Sequence, residues 1–401
     1  MIFLFNWIFF IMEKTQPQEI NLTRKKTVYD KANSILDMRG IEHKKSLILT
    51  KLRRYFDDYK NLPSNDLFRK ALFDLFGDSS VEDLNKFSLK DHVIEEMMRL
   101  PESQYPRYLR YRYAYEINPI IHKVTKFPPL VQIEPASICN YRCVFCFQTD
   151  PKFSNKKNGH MGLMELPLFK ELVDQLEGNV EGVTLASRGE PTVNKLLPEM
   201  MEYLSGKFLA TKINTNAYLM DEKMSHTILS TDLQTLVFSA DAAVEPLYSR
   251  LRVNGNLDRV VRNVEMFYNI KEKYYPSSRL ITRVSGVRYG NNQNIEEMNS
   301  FWGDYVDQVA FVDYNPWENA YDADKTEVNA PCSDLWRRMF IWWDGKVGMC
   351  DVDYLTKLSN EKIQNKSISD IWNGDAYSSL RNKHLSGKRD NLEPCSRCTV
   401  V

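Results

Sequence analysis

The stretch Ile138-Cys-Asn-Tyr-Arg-Cys-Val-Phe-Cys-Phe147 decides how this chain is read. It places Cys139, Cys143 and Cys146 in a C-x3-C-x2-C run, directly after the apolar segment Leu130-Val-Gln-Ile133. Three thiolates this close can converge on one soft metal centre, and thiolate sulfur favours iron–sulfur clusters and zinc. A four-iron cube takes one ligand on each iron, so three cysteines leave one iron open to hold something else. Zinc is the competing occupant. It prefers four protein ligands in a tetrahedron, and the nearest histidine, His160, lies well beyond the run.

The rest of the composition bounds the protein class. With 401 residues there is enough chain for two or three domains and a large core. Lys+Arg and Asp+Glu are equal at 53 each, so no charge excess points to nucleic acid. The seven cysteines form a triplet, a pair and two singles, all between positions 139 and 398. That is a metal-site pattern rather than a disulfide framework. Iron–sulfur ligation needs reduced thiols, which points to the cytoplasm. Residues 1–12 are almost all apolar, but a spanning helix needs about 20 such residues, so no membrane span is expected. This run also lacks a basic n-region and a cleavage site. Either Met12 is the true start, the favoured reading, or residues 1–11 form a short anchor or partner-binding peptide.

Residues 13–125 have no cysteine and read as helical. Leu47, Ile48, Leu52, Tyr55 and Phe56 recur at helical spacing, as do Leu67, Ala71, Leu72 and Leu75 after a cap at Asn65-Asp66. Tyr105–Tyr115 alternates Arg and Tyr. Its aromatics are expected to pack on the next domain with the arginines wet; a grip on an anionic substrate or carrier is the other reading. From Leu130 to Tyr314, short β-rich runs alternate with helical stretches. The strands are expected at 130–133, 182–186, 211–215, 233–239, 280–287 and 308–314. The helices are expected at 166–176, 196–204, 221–229, 257–271 and 294–301. Such alternation makes a parallel sheet with helices outside, and its ligand site lies at the carboxyl ends of the strands. The first cysteine follows the first strand, which puts the thiol run at that end. Arg283, Asp313 and Tyr314 also fall near expected strand ends, but no substrate base can be named among them.

Three further strand ends carry motifs: Ala186-Ser-Arg-Gly-Glu-Pro191, Asn214-Thr-Asn216, and Phe238-Ser-Ala-Asp-Ala242 followed by Tyr248-Ser-Arg-Leu-Arg252. Together with the cysteine run, in which Phe145 precedes the last cysteine, they resemble the radical S-adenosylmethionine (SAM) enzymes. The resemblance implies that Cys139, Cys143 and Cys146 hold a 4Fe–4S cluster whose open iron chelates SAM. It implies SAM-binding roles for Phe145, Gly189, Glu190, Asn216, Ser239 and Arg252. Ala217 stands where the family's Thr-Asn-Gly turn has glycine. Read alone, these residues are turn formers, strand caps and a surface arginine.

Beyond a polar boundary at 315–331 comes a second constellation. Cys332 leads into Phe340-Ile-Trp-Trp-Asp-Gly-Lys-Val-Gly-Met-Cys350, a hairpin pattern turning at Asp344-Gly345. A short helix begins at Ser367, and Cys395 and Cys398 form a C-x2-C pair near the end. Four thiolates suit either zinc or a fully ligated cluster. The block resembles the SPASM/Twitch extension of radical SAM enzymes in its shorter form, which implies one auxiliary 4Fe–4S cluster on Cys332, Cys350, Cys395 and Cys398.

The fold expected is α/β, a partial (β/α)6 barrel of the TIM type, with an N-terminal helical region and a small C-terminal hairpin-plus-helix iron–sulfur domain. Its boundaries are 1–12, 13–125, 126–318 and 319–401. The function expected is reductive SAM cleavage to a 5′-deoxyadenosyl radical, hydrogen abstraction, and an oxidoreductase outcome completed through the auxiliary cluster. A sugar or cyclitol alcohol is the first choice of substrate, because the C-terminal block resembles that of Twitch-type cyclitol dehydrogenases. A peptide is the alternative substrate, and a non-catalytic zinc or electron-transfer protein the alternative of another class. A flavodoxin- or ferredoxin-type electron donor is the implied partner, with no nucleic acid.

Overall fold

The computed structural model describes residues 40–77 and 85–401, with the backbone of a short strand at Ile35–Leu36. The apolar 1–12 peptide lies outside the described residues.

A nine-stranded sheet organises the molecule. Its spatial order is Ile35–Leu36, Gln308–Asp313, Ile281–Arg288, Thr235–Ser239, Ala210–Thr215, Gly182–Leu185, Leu130–Ile133, Arg338–Ile341 and Val347–Gly348. The six strands from 130 to 313 are parallel and adjacent in chain order. Helices Leu166–Leu176, Leu197–Leu204, Glu222–Ser230, Leu257–Tyr274 and Ile295–Gly303 alternate with them. Side chains alternate across a strand. One set, including Val131, Ile133, Val183, Leu185, Ile213, Leu236, Phe238, Val284 and Phe311, joins the helices in the main core. The opposite set includes Gln132, Thr184, Asn214, Ser239 and Ser285 beside Val237, Val287 and Val312, so the inner face of the barrel mixes polar and apolar groups.

The C-terminal hairpin is part of this sheet. Strand Arg338–Ile341 runs parallel to Leu130–Ile133 in register and pairs antiparallel with Val347–Gly348. The turn falls at Asp344-Gly345, where Gly345 takes φ +80°. The hairpin of the C-terminal block therefore joins the first barrel strand, and the parallel sheet gains a seventh strand.

The N-terminal helices are Ile41–Phe56, Leu67–Phe76, Asp91–Arg99 and Tyr105–Glu116. They have their own core, which reaches Leu130 and Leu209. Asp66 caps the second helix by accepting from the Phe68 and Arg69 amides. These helices close the amino-terminal end of the barrel, where three of their polar contacts fall at strand starts. Arg99 donates to the Leu280 carbonyl at 2.8 Å, Arg107 pairs with Glu181 at 2.8 Å, and Arg338 donates to the Tyr115 hydroxyl at 2.9 Å. Glu116, Asp66 and Glu181 occupy Arg112, Arg110 and Arg107. The basic-aromatic helix thus packs at the end opposite the thiol run, which removes the reading of it as a grip on substrate. Arg283 also lies low in the barrel, donating to Gln308 Oε1 at 2.8 Å, and not at the carboxyl end of its strand.

Candidate iron–sulfur and SAM site

The thiol run leaves strand Leu130–Ile133 and folds back as a two-residue ribbon, Arg142–Cys143, paired with Arg252–Val253. That pairing sets Cys143 opposite Arg252, whose Nη1 lies 3.9 Å from the Cys143 sulfur. The buried guanidinium is fixed by Asp241 at 2.6 Å, off the line a hydrogen bond needs. The Phe145 ring lies 6.0 Å from it. Burial pushes the Cys139 thiol up to about 12 and the Cys143 thiol to about 11, with Arg252 pulling the latter back. Burial and the neighbouring Cys143 and Cys139 push Cys146 further still. Left alone these thiols stay protonated; a bound metal supplies the positive charge that ionises them.

Gly189 sits against the run itself. A Cβ there would meet the Ala136 carbonyl at 2.4 Å and the Ile138 carbonyl at 2.6 Å, so only glycine allows this approach. The Glu190 carboxylate accepts from the Thr192 amide and hydroxyl, the Thr215 hydroxyl and the Asn216 amide, at 2.6 to 3.1 Å. Three of these donors fall on Oε1 and only the Asn216 amide on Oε2, so Oε2 keeps an acceptor site. Burial pushes the carboxyl pKa up while those donors oppose the rise. Asn216 is likewise engaged: its amide donates to Asn140 Oδ1 at 2.8 Å and accepts from the Tyr218 amide. Ala217 holds the family's glycine position at φ +60°. Ser239 ends its strand half-buried, in register with Ser285.

Asn140 Nδ2 and Asn214 Oδ1 are buried without a protein partner. Buried polar atoms are normally satisfied, so this donor and this acceptor fit a polar ligand beside the thiols. Tyr314, whose hydroxyl bonds Glu318, packs on Tyr289, which in turn packs on Phe145 at 5.7 Å. Asp313 pairs with Arg288 at 3.3 Å. His160 stacks on Phe153 and accepts the Trp343 indole N–H on its carbonyl, as a loop residue.

The second thiol set also converges. Burial pushes Cys350 up, and Cys395, Cys332 and Cys398 add to it. Burial pushes Cys332 up to about 12. Among the described residues, no three His, Cys, Asp or Glu side chains gather within reach of one metal ion. A four-iron cube sets its thiolates on separate irons, further apart than the ligands of a single ion. Both sets are made of thiols alone, the donor chemistry that iron–sulfur clusters take.

Sequence reasoning missed the seam between the two sites. Cys146 flanks an apolar cluster of Phe147, Phe153, Tyr321 and Tyr354, which Cys350 and Cys398 border as well. Glu134 and Arg188 form a fully buried pair at 2.7 Å, and Arg188 donates onward to the Tyr354 carbonyl at 2.9 Å. Asp351, next to Cys350, accepts from Gln132 of the first barrel strand at 2.9 Å and from Ser187 at 2.8 Å. Arg188 and Glu134 flank recognised motifs, yet no local pattern pairs residues so far apart in sequence.

A parallel barrel carrying a three-thiol loop and a glycine turn at its carboxyl end, joined to a four-thiol domain, defines an enzyme class that cleaves SAM at an iron–sulfur cluster. Residues 133–298 match the radical SAM superfamily, and residues 332–399 match SPASM, an iron–sulfur cluster-binding domain. The chain belongs to the radical SAM superfamily and carries a C-terminal SPASM domain. These domains imply a SAM-binding 4Fe–4S cluster, SAM itself, and auxiliary iron–sulfur binding. Among curated proteins the chain is 30% identical over 177 residues to Fe-coproporphyrin III synthase of Methanosarcina barkeri, covering 42% of this chain and 39% of that one. It is 23% identical over 163 residues to mycofactocin maturase MftC of Mycolicibacterium smegmatis, covering 41% and 38%. The matches thus span about two fifths of these relatives' length. In fold it resembles SuiB of Streptococcus suis bound to precursor peptide SuiA, with a TM-score of 0.52, 16% identity, and 81% and 77% of the two chains covered. Among the described residues no helix is long and apolar enough to cross a membrane.

Proposed function

We propose that this protein is a radical SAM oxidoreductase that removes two electrons from a polar substrate, a sugar or cyclitol alcohol. The observation that carries this reading is the set of polar groups toward the carboxyl ends of the strands: Asn214, Ser239 and Ser285 on the inner face, and the Ser187–Asp351 bond that follows strand Gly182–Leu185. When bound, SAM and its cluster supply a 5′-deoxyadenosyl radical that takes a hydrogen atom from an unactivated carbon, and an auxiliary cluster gives the next electron somewhere to go.

The chain's own residues hold and orient. Cys139, Cys143 and Cys146 hold the first cluster, and Cys332, Cys350, Cys395 and Cys398 a single second one. Gly189 clears room for the SAM amino end. Glu190 fixes the Asn216 turn through Oε2, whose remaining acceptor site can take the SAM amino group. Arg252 and Ser239 face the nucleotide, and Phe145 walls it. The aromatic seam of Phe147, Tyr354 and Tyr321 keeps water from the space between the clusters. A flavodoxin- or ferredoxin-type protein supplies the reducing electron.

Peptide modification is the second reading, favoured by kinship with a maturase. The test is anaerobic reconstitution with SAM and dithionite, followed by chromatography for 5′-deoxyadenosine. Formation of 5′-deoxyadenosine with iron in both sites is expected; its absence would sink the enzyme reading. A panel of cyclitols and aminosugars should then yield ketones, while turnover only with a peptide would transfer the assignment to the second reading.

A further inference from the structure

We propose that Arg389 is the internal counter-cation of the auxiliary site: it ties together the segments that carry three of the four thiols and sets the reduction potential of the cluster they hold. This rests on the reading of Cys332, Cys350, Cys395 and Cys398 as cluster ligands.

Arg389 is 1% exposed. Its Nε donates to the Cys395 carbonyl at 3.1 Å and its Nη1 to the Ala330 carbonyl at 2.9 Å. Its Nη2 donates to the carbonyls of Cys398 at 2.7 Å and Val400 at 2.8 Å. One planar fork thus pins the chain two residues before Cys332 and at both members of the C-x2-C pair. Carbonyls satisfy its N–H groups but carry no net charge.

The other buried arginines show what is missing. Arg112 has Glu116, Arg188 has Glu134, and Arg252 has Asp241. Arg381 lies over the rings of Trp372 at 4.3 Å and Tyr377 at 4.9 Å. None of the described hydrogen-bond partners of Arg389 is a carboxylate. A buried cation without a counter-charge is strongly unfavourable. The negative charge that would balance it is that of the cluster's thiolates, ionised when metal binds. The bonds to the Cys395 and Cys398 carbonyls hold the guanidinium against the same residues that carry two of those sulfurs. One-electron reduction adds negative charge to a site that is already anionic. A fixed cation beside it favours that electron, since cluster potential follows local charge and hydrogen bonding.

The experiment uses the full chain, reconstituted anaerobically, with Arg389→Met and Arg389→Lys compared in a Cys143→Ala background that silences the other cluster. Iron and sulfide are counted, and the midpoint is read by paramagnetic resonance during a redox titration. In Arg389→Met the reduction equilibrium should fall about tenfold or more, which is about 59 mV for one electron. Arg389→Lys should keep its iron and stay within that range. Loss of the cluster in Arg389→Met alone would equally support the charge role. An unshifted midpoint in fully loaded Arg389→Met would overturn it, and so would equal loss of iron from both variants, which would leave only a geometric clamp. A parent chain whose second site takes no iron fails the cluster reading itself, before any Arg389 variant is compared.

Discussion

The two thiol sites border one aromatic seam, yet they are built in opposite ways. The first draws three cysteines from a single loop and leaves Asn140 and Asn214 with unpartnered polar atoms beside it. Its arginine, Arg252, is already neutralised by Asp241. The second draws four cysteines from three separated segments and closes them with a guanidinium that has no carboxylate of its own. An open site needs a vacancy and a polar surround for its ligand. A closed site needs a complete shell and a balance of charge. The proposed division, ligand chemistry at the first site and electron storage at the second, rests on that difference.

The largest expected effect separates the sites outright. Cys143→Ala should bring 5′-deoxyadenosine formation down to the level of an enzyme-free control, while the C-terminal site still loads iron. Retained SAM cleavage would break the comparison. Cys395→Ala should do the reverse, keeping SAM cleavage but losing oxidised product; unchanged product, followed by mass spectrometry, would deny the second site its role.

Next comes the seam that joins them. Glu134→Gln leaves Arg188 as a buried, uncompensated charge and should destabilise the fold by about 3–5 kcal/mol, read by denaturant titration. A loss under about 1 kcal/mol would mean that the two sites are not coupled through this pair.

At the far end of the barrel, Asp307 accepts from Thr282 while Arg99 and Lys271 flank it. Burial would raise its carboxyl pKa, but the two cations and the Thr282 donors hold it below the usual range. Its stabilisation is therefore complete above the unfolded value near about 3.9 and fades as pH falls through the depressed folded value. Asp307→Asn should cost about 1 kcal/mol at pH 7 and flatten the acid limb of a stability–pH curve. It should leave cluster loading unchanged, since it lies opposite both sites.

The smallest effect concerns the turn after Asn216. Ala217 holds a left-handed conformation that costs an L-residue about 1–2 kcal/mol. Glycine relieves that strain but loses a buried methyl and gains unfolded-state freedom. Ala217→Gly should therefore move stability by less than about 1 kcal/mol, visible as a small shift in melting temperature.

Much of the barrel was legible in sequence because each unit declares itself locally. Leu130–Ile133 and Leu166–Leu176 have the bounds their periodicity predicts, and the remaining strands and helices differ by a few residues at their ends. Helix Asp91–Arg99 was not singled out, and three of its hydrophobes, Val93, Ile94 and Met97, are buried in the N-terminal core. The C-x3-C-x2-C run and the C-x2-C pair were legible through spacing, while grouping Cys332 and Cys350 with that pair took the family resemblance. The destination of Tyr105–Glu116 was not, because an arginine–tyrosine face reads the same whether it meets substrate or the underside of a sheet.

The chain's local order determined which segments become strands, which become helices, and that Cys139, Cys143 and Cys146 lie in one run, since all three follow from side-chain period and spacing. Only the tertiary structure decided that strand Arg338–Ile341 lies in register against Leu130–Ile133, that Glu134 meets Arg188, and that Arg389 reaches the carbonyls around the last cysteines. Those partners are far apart in sequence or meet only through the path of the backbone. The stability of each contact depends on burial that exists only once the remaining elements have packed.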